Sequence, residues 1–316
     1  MPSAKDVVDA INDISGSHAG HRAAHAKGIV CAGTFTASPG AKEISRAAHL
    51  QGEPVRTTVR LSNGGGDPTR PDAANDGRGL SVKFYLPDGS RTDIVAITLP
   101  VFFVRNPEDF LAFTRARKPD PETGQPDLDK VGAFLAEHPE AVPAIQFQLG
   151  MAPPASRAQL RYHGIHAFRF LAAGGEARYG RYRLEPEAGE AWLDPEAAEA
   201  QSADYLEDEL RERMAAGPVS FALQVQLAEE GDDTDDPSVR WPEEREIVEL
   251  GRLEITGLDP EREQGDDVLV FDPTRVTDGI ECSGDPILSF RPLAYSESVA
   301  RRTAPATAAG AGGGPR

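Results

Sequence analysis

The stretch HRAAHAKG, residues 21–28, sets two histidines, an arginine and a lysine among alanines and ends on a glycine. His25 is suited to moving protons, because an imidazole changes charge near neutral pH. If the segment is a last helical turn, Arg22 and His25 share a face and Gly28 supplies the permissive backbone of a helix end. The plainer reading of the same turn is a basic terminus complementing the helix dipole. Two further pairs carry related chemistry. In PVRTTVRLS (54–62) the two-residue period of a strand projects Arg60 and Ser62 together. In RPLAY (291–295) Arg291 and Tyr295 lie one helical turn apart, so a cation beside the phenol favours phenolate, and Arg301 and Arg302 follow.

Spacing alone leaves two readings open. HGIHAFRFLA places His166, Phe168 and Phe170 on one face, and ARYGRYRLE alternates aromatic residues with arginine. Such faces are either solvated strands over ordinary core aromatics, or the lining of a cavity for a large, flat, anionic ligand. In the second case rings would meet its faces and guanidinium groups its carboxylates. The run LPVFFVRNPEDFLAF adds Phe102, Phe103, Phe110 and Phe113, for which core packing is the better reading.

The elements that must position these residues are mostly strands. Eight runs show period-two alternation between Gly, Pro and Asp turns: 28–38, 54–62, 79–86, 92–98, 163–172, 177–185, 219–228 and 246–256. AGGE and LPDGS read as hairpin turns. Helical patterns cover the N-terminus, PEDFLAFTRARK, DLDKVGAFLAEHPEAVPAIQFQL and DPEAAEAQSADYLEDELRERMAAG, the last with Leu206, Leu210 and Met214 four apart. The expected class is α+β, an eight-stranded antiparallel barrel with appended helices. Residues 1–302 form one domain, and the low-complexity tail 303–316 is disordered.

Composition narrows the function. Fifty-one acidic against 33 basic residues give a net charge of −18, which repels phosphate backbones and anionic lipid and argues against nucleic-acid or membrane partners. Cys31 and Cys282 sit in neither CxxC nor CxxCH spacing, so neither a zinc site nor covalently attached haem is indicated. The N-terminus lacks the apolar core of a secretory signal, and a cytoplasmic location is expected.

Several ordered motifs then resemble one family. RAAHAKG (22–28), VRLSN (59–63), DGRGLSVKFY (76–85), TDIVAITLPVFFVRNPEDF (92–110), YHGIHAFRF, LGRLEI, FDPTRVTDGIE and RPLAY (291–295) are similar to haem catalases, and more closely to the short catalase-related peroxidases. The resemblance covers most of residues 20–302. It implies haem b in a deep pocket, with Tyr295 as axial ligand of the iron, the ligand type catalases use, and Arg291 holding that tyrosine ionised. It implies His25 as the distal histidine and Ser62 as its hydrogen-bonding partner. Arg22, Arg60 and Arg302 would meet the haem propionates, and Phe110 would pack on the distal face of the ring. The implied activity is reduction of hydrogen peroxide and small organic peroxides through a ferryl intermediate, with a small organic reductant.

Two departures qualify it. The chain ends soon after the tyrosine helix, so no NADPH is expected. The family's distal asparagine lies in a GNNTP-like run, but this sequence reads AITLP. Ile97 and Thr98 stand where the two asparagines would be, so weak catalase activity is expected, with Thr98 as a partial replacement for the lost amide. A homodimer is the expected assembly. The rival readings are a haem enzyme that rearranges fatty-acid hydroperoxides to allene oxides, and a noncatalytic haem-binding barrel.

Overall fold

The computed structural model describes residues 1–264 and 268–304. Its frame is eight antiparallel strands: β1 Gly28–Ala37, β2 Val55–Asn63, β3 Arg78–Tyr85, β4 Arg91–Ile97, β5 Tyr162–Leu171, β6 Ala177–Pro186, β7 Val219–Leu227 and β8 Ile247–Leu258. Each matches one of the eight strand-like runs. They are joined in the order β4-β3-β2-β1-β8-β7-β6-β5, and the barrel closes where Ile97 of β4 pairs with His163 of β5. Closure removes the exposed edges that an open sheet must protect. A short strand, β9 Ile280–Cys282, adds to β5 and was not foreseen.

The alternation reads out in burial. Along β7, buried Val219, Phe221, Leu223, Val225 and Leu227 alternate with more open residues. On β2, Val59 and Leu61 point into the core and pair with Val82 and Leu80 of β3. Arg60 and Ser62 therefore occupy the outward face of the same strand. That face is buried as well, and Arg60 and Ser62 share a cavity with residues of two helices, 4–15 and 286–303.

The helices are α1 Ala4–Ser15, α2 Ala41–Ile44, α3 Pro107–Ala116, α4 Leu128–Glu137, α5 Val142–Gly150, α6 Pro195–Glu199, α7 Tyr205–Ala216, α8 Pro260–Gln264 and α9 Pro286–Thr303. Ser3 Oγ caps α1 by accepting from the Asp6 amide at 3.1 Å. Asp285 caps α9 through the amides of Ile287 and Leu288, with Pro286 in the first turn. Helices α1, α3 and α9 pack on one another.

Three sequence expectations change. The run 195–216 is two helices, because Ala203 between them gives its carbonyl to Lys27 Nζ at 2.8 Å and to the Asp72 amide at 2.9 Å. Residues 21–27 form no helical turn but an irregular bend. Thr303, placed in the disordered tail, is the last residue of α9, and residues 305–316 lie outside the described ones. Among the described residues no helix is long and apolar enough to cross a membrane.

Candidate active site

The bend at 21–27 exists to present one side chain. His25 has φ +56°, the sole non-glycine residue with positive φ among those described. Such a conformation costs on the order of 1–3 kcal/mol and must be held from outside. The His25 amide donates to the Gly64 carbonyl and the Ala26 amide to that of Gly65, both at 3.0 Å. Arg60 clamps the other side, its guanidinium donating to the carbonyls of His25 at 2.9 Å and Ala26 at 3.2 Å. Gly28 makes that clamp possible, since a Cβ there would stand 2.8 Å from the Arg60 guanidinium carbon.

His25 Nδ1 lies 3.1 Å from Ser62 Oγ. Burial first, and then the charges of Arg60 and Arg291, push the imidazole pKa down to about 4, so it is neutral at pH 7. A neutral ring that donates from Nδ1 to Ser62 keeps the Nε2 lone pair for a proton.

The opposite wall is α9. Residues 291, 294, 295, 298, 299 and 302 fall on one helix face and line the cavity. Arg291 Nε donates to the Tyr295 hydroxyl at 2.8 Å, and Arg291 NH1 lies 2.7 Å from His166 Nε2. A guanidinium only donates, so Nε2 of His166 must accept and its proton must sit on Nδ1. That nitrogen is 2.5 Å from Asp285 Oδ2. Burial is the main cause that brings the His166 pKa down to about 4, against the pull of Asp285. A relay of four side chains thus joins the phenol to the cap of its own helix.

Between these walls lies a cavity of about 140 Å³. Val8 and Ile11 of α1, Val95 and Ala96 of β4, and Leu269, Val270 and Phe271 supply apolar surface. Cations gather at its rim. Arg22 and Arg302 both donate to the Leu269 carbonyl, at 3.0 and 2.8 Å, and Arg22 also pairs with Glu263. Arg60 Nε reaches the same carboxylate at 3.2 Å. Burial pushes the Glu263 carboxyl upward, but Arg22 and Arg60 outweigh it and hold the carboxyl below its usual range.

The fold therefore brings His25, Ser62, Arg22, Arg60, Arg291, Tyr295 and Arg302 to one cavity. Two sequence candidates lie elsewhere. Thr98 Oγ1 accepts from the Arg78 amide at 3.0 Å and borders a different cavity, shared with His163, Trp192 and Trp241. Phe110 is not among the cavity-lining residues; it packs in the clusters that hold Phe102, Phe103, Leu111 and Phe290, against which the cavity-lining Ile11 and Ala294 also pack. Sequence reasoning missed Gly79, Glu263 and the His166–Asp285 link. An Asp followed by Pro before the tyrosine helix was a readable cap signal; Glu263 left no signal at all.

The chain is similar in sequence and in fold to known proteins. The family profile described as Catalase matches residues 5–309. A "Catalase-related peroxidase" of Mycolicibacterium paratuberculosis is 45% identical over 94% of this chain and 93% of its own length. Another of that name, from Synechococcus elongatus, is 36% identical over 94% and 88%. The crystal structure of a fungal catalase superposes with a TM-score of 0.81 at 26% identity, covering 92% of this chain. A bacterial catalase structure at 23% identity and a TM-score of 0.80 shares the fold. The chain spans 61% and 58% of those two catalase chains.

Proposed function

From the premise that the chain belongs to the catalase family, we propose that it reduces hydrogen peroxide and small organic peroxides with a small organic reductant, and disproportionates hydrogen peroxide only weakly. It is a haem peroxidase, in keeping with the relatives named catalase-related peroxidase. Neither rival reading, the hydroperoxide rearrangement or the noncatalytic barrel, gains support from those relatives.

The residues fit the prosthetic group. A phenol oxygen that accepts from a guanidinium suits ferric iron as a ligand, and the arginine rim suits two carboxylates. Neither Cys31 nor Cys282 lines the cavity, which supports noncovalent haem b. Tyr295 would hold the iron, and Arg22, Arg60 and Arg302 the propionates. When bound, haem supplies the electrons and the Lewis-acidic iron that break a peroxide O–O bond.

The chain supplies the proton path. His25 Nε2 takes the proton of the entering peroxide and returns it to the departing oxygen, which leaves as water or alcohol. Ser62 fixes which imidazole nitrogen does so. Arg291 holds its own positive charge against the Tyr295 oxygen, facing the negative charge that oxygen would carry as an iron ligand.

The observation that carries weak dismutation is the composition of the wall beside His25. Gly79 touches the imidazole, Ile97 stands opposite Gly79 in the β3–β4 register, and no Asn or Gln occurs among the described cavity-lining residues. A second peroxide thus lacks an amide donor to orient it as reductant. Oxygen evolution per haem, compared with donor oxidation at the same peroxide concentration, tests this; turnover that ignores the donor and matches full-length catalases would overturn it. The same reading takes the protein as a cytoplasmic homodimer, and light scattering of the pure protein tests the dimer.

A further inference from the structure

Glu263 is the one acidic side chain paired with the cationic rim among the described residues. Arg60 spends both terminal nitrogens on the carbonyls of His25 and Ala26, so only its Nε is turned to a carboxylate, and Glu263 holds it. Arg22 divides its donors between the Leu269 carbonyl and Glu263. On Arg60, and in part on Arg22, the donors that a ligand's carboxylate would need are therefore those that Glu263 engages.

Exposure decides which partner can move. The side chain of Glu263 is 32% exposed and that of Arg60 is 6%. The carboxylate can rotate into water while Arg60 stays clamped to the backbone. The backbone of α8 need not follow, since the Asp259 amide at its start bonds the Val30 carbonyl at 2.9 Å and Arg262 Nε reaches the Tyr85 hydroxyl at 3.3 Å.

We propose that Glu263 is a resident counter-ion of the Arg22–Arg60 pair, one that a haem propionate displaces, so that its release is a step of cofactor loading. This rests on the haem reading above. Without a carboxylate, buried like charges would repel across the rim; with haem bound, a propionate takes over the neutralisation.

The test uses full-length protein freed of haem and titrated with hemin, followed by growth of the Soret band and by tryptophan quenching. Glu263→Gln is expected to bind hemin faster, with a Kd roughly five- to tenfold lower than wild type, and to melt at a lower temperature than wild type before hemin is added. Glu263→Asp, which keeps the charge, is expected to stay near wild type and serves if the Gln variant does not fold. Hemin dimethyl ester, whose carboxylates are blocked, should bind all three alike. Equal hemin affinity in folded wild type and E263Q, or an E263Q advantage that persists with the ester, overturns the proposal. A wild-type protein that binds no hemin at all overturns the haem reading instead.

Discussion

His25 Nδ1 and Ser62 Oγ stand 3.1 Å apart, and Gly79 closes over both: a Cβ at position 79 would lie 2.9 Å from the imidazole and 2.8 Å from the hydroxyl. The pair exists because β2 and β3 put Ser62 opposite Gly79 while the left-handed bend lowers His25 onto them. Gly79→Ala must push ring and hydroxyl apart. A drop of about ten- to a hundredfold in the rate of reaction with peroxide is expected, the range typical of lost supporting bonds around a metal site. Stopped-flow rates on haem-loaded protein check this; an alanine that leaves them intact would show the Ser62 bond to be dispensable.

The barrel was readable because period-two alternation survives wherever one strand face meets the core, as β7 shows most cleanly. Arg60 and Ser62 were readable for the same reason, and Arg291 and Tyr295 through the helical period. The bend at His25 was not. Its geometry comes from the carbonyls of Gly64 and Gly65 and from the Arg60 clamp, contacts more than thirty residues away in sequence, which local propensity does not encode. Thr98 borders a different cavity from His25, because position in a motif says nothing about where a hydroxyl turns once the Arg78 amide claims it.

Acid should unfold the protein before it silences a surviving active site. Burial pushes the pKa values of His25, His49 and His166 down to about 4, and that of His163 to about 3, from an ordinary 6.5. The unfolded chain takes up these protons below its ordinary histidine pKa while the folded chain refuses them. Their contribution to stability is therefore full above pH 6.5 and is lost as pH falls toward 4 and below. Denaturant midpoints should decline across that window. His49 has no hydrogen-bond partner at Nδ1 and packs 4.8 Å from the Phe84 ring, so His49→Leu should flatten the decline. A midpoint constant from pH 7 to 4.5 would contradict the buried-neutral assignment.

Thr98 should matter to stability and not to turnover. Its hydroxyl accepts the buried Arg78 amide at 3.0 Å, at the start of β3. Thr98→Val keeps the shape and strands that amide, at a cost of about 1–3 kcal/mol. Urea unfolding should register the loss, while peroxide turnover per haem stays at the wild-type value. A large fall in turnover at unchanged stability would return Thr98 to the catalytic set.

Asp285 does two jobs with two oxygens, and they can be separated. Oδ1 accepts the Ile287 and Leu288 amides at 2.8 and 3.1 Å and starts α9; Oδ2 receives His166 Nδ1. Asparagine can keep the cap with its carbonyl, but its NH₂ then meets the Nδ1 proton of His166, donor against donor. If His166 changes tautomer to relieve that clash, its Nε2 proton confronts the guanidinium of Arg291, which also braces Tyr295. The conflict has no local resolution and must move Arg291 or the phenol. Asp285→Asn is therefore expected to melt near wild type yet change the ferric absorption spectrum. Asp285→Ala, which loses the cap as well, should cost about 1 kcal/mol or more in stability. An unaltered spectrum in the asparagine variant would mean that the relay ends at His166 and that Arg291 alone sets the state of the tyrosine.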